Sequence, residues 1–167
     1  AAEAHAKAEI ISVRTEGDIH RQTYPQTLRR VYRLANALKA LGVQLGDRVA
    51  TLAWNGYRHF ELYYAISGQG AVCHTINPRL SAEQLIYIVN HAEDKLIFVD
   101  TTFVPILEAV RSELPGDLRF VIMTDREHMP ENTLDALCYE ELLEEQPDSF
   151  EWPEFDENTA AGLCYTS

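Results

Sequence analysis

Residues 48–76 read RVATLAWNGYRHFELYYAISGQGAVCHTI, and this stretch decides the fold. It opens on a β-branched run at 48–54, continues through an amphipathic segment near 58–67, and closes on a second apolar run at 71–76. Short β-branched runs indicate strands, and the segment between them has the apolar spacing of a helix. Two strands separated by a helix are typical of the crossover unit that parallel strands require. The stretch therefore predicts parallel pairing.

The same order of elements continues downstream. Strands are expected at 95–99 and 119–124, and helices near 82–91 and 103–114. Equivalent strand positions lie 23, 24 and 24 residues apart when they are marked by Val49, Val72, Leu96 and Phe120. The strands are apolar along nearly their whole length, as strands covered on both faces are. We therefore predict an α/β fold in which these four strands are neighbours in a mostly parallel sheet flanked by helices.

The sequence before residue 48 predicts a hairpin and a helix. Alternating apolar residues at 9–24, with a turn at Gly17, favour an amino-terminal β-hairpin. Thr23 is expected to cap the helix that follows, because Gln26 stands three residues on, and Gly42 is expected to end that helix. The apolar residues of the helix recur at steps of three and four, so one of its faces must lie on the sheet.

Composition divides the chain into three parts. Residues 1–125 hold the hairpin and the repeated βα units. Residues 126–157 form an acidic, proline-containing connector with a short helix predicted at 139–145, and a charge run of this kind is typical of a solvated face. Residues 158–167 end the chain in a predicted buried strand, 161–165, which leads into the start of a loop.

Composition also excludes several classes of protein. The 167 residues hold 14 Lys and Arg against 26 Asp and Glu, and their net charge of −12 would repel a nucleic-acid backbone. No apolar run approaches the roughly 20 residues of a membrane span. The three cysteines form neither a disulfide framework nor a zinc motif, so a cytoplasmic location is expected. The first residue is not Met and the last one closely follows an apolar run, which predicts a piece of a longer chain.

Ligands of an open parallel sheet bind beyond the carboxyl ends of its strands. Short polar segments are expected at this edge, at 54–56, 77–79, 100–102, 125–126 and 165–167. Local structure explains most of them. Ser81 and Gln84 form a capping-box pattern after the second segment, and Asp100 or Thr101 is expected to cap the helix that follows the third.

Two further side chains are candidates for a site. Arg79 is the residue that local structure explains least, although a lone arginine at a turn more often belongs to a surface ion pair than to a ligand site. His74 lies inside a predicted strand and is interpreted as a buried or half-buried core histidine. The six histidines do not pair at metal-ligand spacing on one helix, so no metal site is predicted from them.

Several segments stand in a characteristic order and spacing. They are Leu41-Gly42-Val43, Gly46-Asp47-Arg48-Val49-Ala50, Trp54-Asn55, Gly68-x-Gly70-Ala71-Val72, Asn77-Pro78-Arg79-Leu80, 87–94 and Phe98-Val99-Asp100. In this order they resemble the opening of the acyl-adenylate-forming enzymes, the AMP-binding superfamily that includes the acyl-CoA synthetases. Residues 77–80 and 88–94 are most similar to the medium- and long-chain fatty acyl-CoA synthetase branch. The resemblance covers about residues 9–167 and implies the amino-terminal subdomain of such an enzyme.

The resemblance implies a phosphate-binding loop at the end of the chain. In the family, Tyr-Thr-Ser continues as Gly-Thr-Thr-Gly-x-Pro-Lys-Gly, a loop whose backbone N–H groups approach the ATP phosphates closely. Residues 165–167 match the first three residues of this pattern, so 158–167 is a strand and a truncated phosphate-binding loop. By this resemblance Thr166 contacts phosphate and its Mg²⁺, and Ser167 is a second cofactor-binding residue. The resemblance assigns no catalytic residue within the 167.

The implied reaction of the intact enzyme uses ATP, Mg²⁺ and CoA. A fatty acid carboxylate attacks the α-phosphate of Mg·ATP, pyrophosphate leaves, and the CoA thiol then displaces AMP. Fatty acid and CoA are the implied substrates, and a homodimer is implied by some related long-chain synthetases. Because the rest of the loop is not in the sequence, we expect the 167 residues alone to be inactive.

Two other interpretations remain open. The chain is a catalytically silent α/β module for binding or dimerisation if a stop codon follows residue 167. A flavodoxin-like nucleotide or receiver domain shares the alternation of strands and helices. That domain needs a phosphate loop or an acidic pocket after its first strand, where this sequence has Trp54-Asn55-Gly56.

Overall fold

The computed structural model describes residues 2–166, and within this range the chain forms eight strands, five α-helices and two short 3-10 helices. The strands are β1 (Glu9–Val13), β2 (Ile19–Thr23), β3 (Arg48–Leu52), β4 (Val72–Thr75), β5 (Leu96–Val99), β6 (Arg119–Ile122), β7 (Leu137–Cys138) and β8 (Gly162–Leu163). The α-helices are α1 (Tyr24–Ala40), α2 (Tyr57–Gly68), α3 (Ala82–Ala92), α4 (Val104–Val110) and α5 (Tyr139–Glu144). Among these residues no helix has both the length and the hydropathy to cross a lipid bilayer.

Strands β3 to β8 form one parallel sheet in the order β7-β6-β5-β3-β4-β8. β3 has neighbours on both sides, because Val49 is paired with Cys73 of β4 and with Leu96 of β5. The four strands expected from the 23–24-residue spacing are thus adjacent and parallel, which confirms the prediction. The edge strands β7 and β8 have two residues each, so β8 is shorter than the strand expected at 161–165. All six carboxyl ends meet at one edge of the sheet.

Helices cover both faces of the sheet, and each face has its own apolar core. On one face α1, α2 and α5 pack over a core that includes Leu34 and Phe98. On the other face α3 and α4 pack over a core that includes Ile97 and Leu107. Ile97 and Phe98 are adjacent in β5 and fully buried on opposite faces, as the two-residue period of a strand requires.

The amino-terminal elements form as the sequence predicted. β1 and β2 pair antiparallel as a separate hairpin, with Glu9 opposite Thr23 and Val13 opposite Ile19. Thr23 then caps α1, because its hydroxyl accepts a hydrogen bond from the backbone N–H of Gln26 while the Gln26 side chain accepts one from the backbone N–H of Thr23. The helix ends just before Gly42, whose positive φ of 83° favours glycine.

The segment 126–157 contributes two elements to the domain. β7 adds to the outer edge of β6. α5 confirms the helix predicted at 139–145, and it packs against α1. Tyr139, at the start of α5, is fully buried, and its hydroxyl donates a hydrogen bond to Glu61 at 2.8 Å. The segment is therefore held to the helical face of the domain by a buried side chain.

The chain between α5 and β8 crosses the end of α2 at two glycines. A Cβ at Gly68 would lie 2.6 Å from the indole of Trp152, and a Cβ at Gly70 would lie 2.7 Å from Leu45 and 3.1 Å from Phe155. Gly70 also has a positive φ of 76°. A larger residue than glycine at either position would therefore clash with an aromatic ring. The two rings pack there on the path that the chain takes to β8.

Candidate functional site

The carboxyl edge of the sheet joins segments that follow different strands. Asp100, after β5, accepts a hydrogen bond at 2.6 Å from the backbone N–H of Trp54, which follows β3. The expectation that Asp100 or Thr101 caps the next helix is wrong: a short 3-10 turn at Thr101–Phe103 precedes α4, and in residues 2–166 neither the turn nor α4 has a side-chain capping bond. Burial raises the pKa of Asp100 to about 6, although the Trp54 N–H opposes that shift. Asp100 therefore ties two loops together.

A small cavity lies between these loops and the hairpin. It has a volume of about 30 Å³, and Arg14, Trp54, Arg58 and Asp100 are among the residues that line it. A water molecule needs roughly 10–15 Å³ measured in this way. The cavity therefore has room for one or two water molecules and none for a nucleotide.

The segment after β4 is explained by local structure. The side chain of Asn77 accepts a hydrogen bond from the backbone N–H of Arg79 at 3.0 Å. Ser81 and Gln84 form the predicted capping box at the start of α3. Arg79 is exposed and makes no ion pair within residues 2–166. The sequence therefore predicted this turn correctly, and Arg79 is not drawn into a site with the other described residues.

β8 leads the end of the chain toward the carboxyl edge. Gly162 and Leu163 pair with Cys73 and His74 of β4, which makes β8 the edge strand on that side. Thr166 follows three residues after the strand and is exposed. Its hydroxyl can donate a hydrogen bond to an anion at this edge. Ser167, the other predicted cofactor-binding residue, lies outside the described residues.

Four side chains surround the exit of β8, and we call His74, His91, Asp94 and Tyr165 the junction cluster. Nδ1 of His74 lies 2.8 Å from Oδ2 of Asp94. The rings of His74 and Tyr165 pack with their centroids 5.2 Å apart. The Tyr165 hydroxyl lies 2.6 Å from Nδ1 of His91. Tyr165, the residue before Thr166, is thus held by two histidines from different elements.

The buried part of the junction cluster is only partly satisfied. His74 is fully buried, as expected for a core histidine, and Asp94 is 3% exposed. Burial raises the pKa of Asp94, and the hydrogen bond with His74 offsets only part of that rise. In the described part of the chain, Nε2 of His74 is buried without a hydrogen-bond partner. One signal for this pair is visible in the sequence, an aspartate shortly before an apolar strand, and we did not predict the pair from it.

A second group of buried charges lies on the opposite face of the sheet, and we call Glu16, Arg30, Arg58, Glu61 and Glu140 the ionic cluster. Arg30 lies 2.7 Å from Glu61 and 2.8 Å from Glu140. Arg58 lies 2.7 Å from Glu16 and 2.9 Å from Glu140. These contacts join the hairpin turn to α1, α2 and α5.

Two carboxylates of the ionic cluster, Glu140 and Glu16, have lowered pKa values and are held in their charged form. Burial alone would raise the pKa of Glu140, but the charges and hydrogen bonds of Arg30 and Arg58 outweigh it and lower that pKa. The same balance beside Arg58 lowers the pKa of Glu16. The interpretation of the acidic run as a solvated face is therefore wrong for Glu140, whose side chain is 20% exposed and joins α5 to α1 and α2.

The described residues do not assemble a metal site from their own side chains. They contain no group of three or more His, Cys, Asp or Glu side chains that could hold a metal ion. Mg²⁺ usually binds through one or two protein oxygens together with phosphate oxygens and water. The exposed hydroxyl of Thr166 is an oxygen of this kind. The chain can thus offer one Mg²⁺ ligand, provided that a phosphate supplies others.

Comparison with known proteins gives relatives over the whole chain. The family model described as AMP-binding enzyme matches residues 1–167. The chain is 49% identical to the 3-methylmercaptopropionyl-CoA ligase of Ruegeria lacuscaerulensis and 45% identical to the medium-chain-fatty-acid–CoA ligase of Ectopseudomonas oleovorans. Each alignment covers 100% of this chain and 31% of the relative, so the chain spans about a third of the length of these curated relatives.

A solved structure has the same fold. The Mycobacterium tuberculosis fatty acyl CoA synthetase superposes with a TM-score of 0.80 at 25% sequence identity. The superposition covers 99% of this chain and 31% of that chain. The α/β fold predicted from the sequence, with its parallel sheet and amino-terminal hairpin, is therefore confirmed by the structure and by this neighbour.

Proposed function

The chain belongs to the AMP-binding enzyme family, and from this premise we propose that the intact protein is an ATP-dependent fatty acid–CoA ligase. The relatives that match it over the full chain are acyl-CoA ligases. The observation that carries the proposal is the exit of Tyr165 and Thr166 from β8 toward the carboxyl edge of a parallel sheet, where such sheets bind ligands. In this proposal residues 158–167 are the strand and first residues of the phosphate-binding loop.

In the proposed reaction this chain contributes binding and orientation. The Thr166 hydroxyl donates a hydrogen bond to an ATP phosphate oxygen, and Ser167 is the next residue of the same loop. A net charge of −12 repels ATP as a whole, so the attraction has to be supplied locally by hydroxyl and backbone N–H donors. Mg²⁺, when bound, neutralises phosphate charge, and Thr166 supplies one of its oxygen ligands.

The proposed substrates are CoA and a medium- or long-chain fatty acid, which form an acyl-adenylate and then a thioester. This choice is supported by the 45% identity to a medium-chain-fatty-acid–CoA ligase. The 49% identity to a 3-methylmercaptopropionyl-CoA ligase favours 3-methylmercaptopropionate as a second candidate. Pyrophosphate release by the intact protein with this acid and with saturated acids from butyrate to palmitate distinguishes the two.

Thr166→Ala in the intact protein tests the proposed role of Thr166. We expect acid-dependent pyrophosphate release at limiting ATP to fall about tenfold or more, because a charge-assisted hydrogen bond contributes roughly 1.5–3 kcal/mol and about 1.4 kcal/mol is a factor of ten. Thr102→Ala is the matched control, since Thr102 is also exposed at the carboxyl edge but follows β5. Equal rates for the two variants would overturn the proposed role.

The 167-residue chain on its own is proposed to be inactive. The sequence contains Tyr165, Thr166 and Ser167 but not the Gly-Thr-Thr-Gly and Pro-Lys-Gly segments that the family resemblance implies next. Titration calorimetry with Mg·ATP should detect no saturable binding below about 100 μM. If the intact protein also released no pyrophosphate with any of the acids, the alternative of a catalytically silent binding or dimerisation module would replace the ligase.

Two further properties belong to the proposal. The cytoplasm is the proposed compartment, which is supported by three free thiols, Cys73, Cys138 and Cys164. A homodimer is the proposed assembly, as the resemblance to long-chain synthetases implies. Light scattering of the intact protein tests the assembly directly.

A further inference from the structure

We propose that His91 and the buried His74–Asp94 pair are positioning residues for the phosphate loop, which they orient by fixing Tyr165. This inference rests on the proposed function, because it requires that Thr166 contacts an ATP phosphate. His91, His74 and Asp94 do not touch ATP in this proposal. They determine where the chain leaves the sheet and therefore where Thr166 begins the loop.

The backbone of β8 holds this part of the chain only weakly. Within residues 2–166 the strand has two residues and pairs with β4, and beyond Leu163 no further pair joins these two strands. After the strand has ended, side-chain contacts of Tyr165 hold the described chain next to Thr166.

Tyr165 is held by two elements that are themselves well fixed. Leu163 and Tyr165 are two residues apart in extended chain, so both point toward the face of the sheet that α3 covers. His91 lies in the last turn of α3, a helix with a capping box at Ser81 and buried apolar side chains along its inner face. His74 lies in β4 and is fully buried. Tyr165 thus connects the exit of β8 to both α3 and β4.

Burial of the His74–Asp94 pair lowers the stability of the fold relative to apolar packing, so the pair calls for an explanation other than packing. Burying a carboxylate is unfavourable, and apolar side chains of similar volume would fill the same space without that penalty. The carboxylate of Asp94 contacts Nδ1 of His74 and so fixes the plane of the imidazole ring. The ring of Tyr165 packs against that imidazole, with the two ring centroids 5.2 Å apart. Because the orientation of His74 is fixed, the position of the Tyr165 ring that packs against it is restricted as well.

The test compares two Tyr→Phe variants in the intact enzyme. Tyr165→Phe keeps the ring and removes the hydroxyl that bonds His91, whereas Tyr87→Phe removes the hydroxyl of an exposed tyrosine that stacks on the same histidine. We expect Tyr165→Phe to raise KM for ATP about two- to tenfold, as loss of one hydrogen bond does, with kcat and the KM values for fatty acid and CoA unchanged. Tyr87→Phe should leave all of these parameters unchanged.

Two further variants make the result decisive. His91→Ala should raise KM for ATP as much as Tyr165→Phe does, and the double variant should raise it no further, because both remove the same contact. A merely structural contact would lower the thermal midpoint without a selective rise in KM for ATP, or would change all three KM values together, and either outcome would overturn the inference. If Thr166→Ala raises KM for ATP while Tyr165→Phe and His91→Ala do not, the inference fails alone. If Thr166→Ala has no effect either, the proposed function fails with it.

Discussion

The ionic cluster and the junction cluster lie on opposite faces of one sheet. They differ in how many hydrogen bonds and ion pairs their charged groups make. In the ionic cluster two arginines and three glutamates contact one another, and Tyr57, Tyr139 and Gln22 donate further hydrogen bonds to the glutamates. In the junction cluster a single buried carboxylate faces one imidazole, whose second nitrogen has no partner among the described residues. The ionic cluster also has one such atom among the described residues, Nη2 of Arg58, so the two clusters differ in how many contacts they contain and not in complete satisfaction.

From this difference we assign the ionic cluster a role in stability and the junction cluster a role in activity. The many ion pairs of the ionic cluster join elements that are far apart in the sequence, so the fold depends on them. The junction cluster has fewer contacts, and it lies beside the strand that leads to Thr166. We therefore expect substitutions in the ionic cluster to lower stability, and substitutions at Tyr165 and His91 of the junction cluster to change activity with little effect on stability.

The largest effect is expected when one partner is removed from the ionic cluster. Glu61 is fully buried and accepts hydrogen bonds from Arg30, Gln22 and Tyr139. Glu61→Ala leaves these donors buried without their acceptor, and the free energy of unfolding should fall by about 3–5 kcal/mol. Urea unfolding followed by circular dichroism measures the change.

The control for that prediction is an exposed ion pair. Arg33 pairs with Asp148 at the surface, where both side chains are more than a third exposed. Arg33→Ala should cost less than about 1 kcal/mol, because exposed pairs contribute little. A Glu61→Ala variant as stable as Arg33→Ala would mean that the ionic cluster does not stabilise the fold.

An intermediate effect on the free energy of unfolding is expected from a Tyr→Phe substitution, which can be made once in each cluster. Tyr139→Phe removes a buried hydroxyl that donates to the carboxylate of Glu61, and it should cost roughly 1.5–3 kcal/mol of unfolding free energy. Tyr165→Phe removes a hydroxyl from a half-buried ring and should cost less than about 1 kcal/mol. The two urea midpoints are compared directly. Equal losses would remove the distinction between a structural cluster and a positioning cluster.

The smallest effect is expected in the pH dependence of stability, where the two clusters have opposite signs. The folded pKa of Glu140 is lowered, so its contribution is present above the unfolded pKa and is lost as pH falls through the folded pKa. Burial raises the folded pKa of Asp94, so its contribution is largest at low pH and is lost as pH rises through that value. Glu140→Gln should therefore flatten the loss of stability toward acid, and Asp94→Asn should steepen it.

Urea midpoints measured from pH 3 to pH 7 test these signs. Glu131→Gln, a substitution of an exposed glutamate in the connector, is the matched control and should follow the unsubstituted chain. Parallel curves for Glu140→Gln and Asp94→Asn would contradict the assignment of opposite shifts to the two carboxylates.

Local patterns predicted most of the fold. β-branched runs gave the four central strands, and the capping boxes at Thr23 and Ser81 gave the starts of α1 and α3. β7 was missed because two residues carry no periodicity. The division of the chain at residues 125 and 157 stays a prediction.

The candidate site was predictable only in part. Thr166 and Ser167 came from the family resemblance, since a hydroxyl residue after a strand has no distinctive local pattern. The ionic cluster was missed because its partners are far apart in the sequence, as with Arg30 and Glu140, which are separated by 110 residues. Asp94 was missed because its partner His74 lies on another element, and no periodicity connects the two.

The order of strands in the sheet has a consequence for folding during synthesis on the ribosome. Of the six parallel strands in the described residues, β3 is synthesised first, and each later one lies beside one that has already been made: β4 and β5 beside β3, β6 beside β5, β7 beside β6, and β8 beside β4. None of these six strands has to wait for the partner described here to be translated. This part of the sheet can grow outward from β3 during translation, and of these six strands the one before Thr166 is made last.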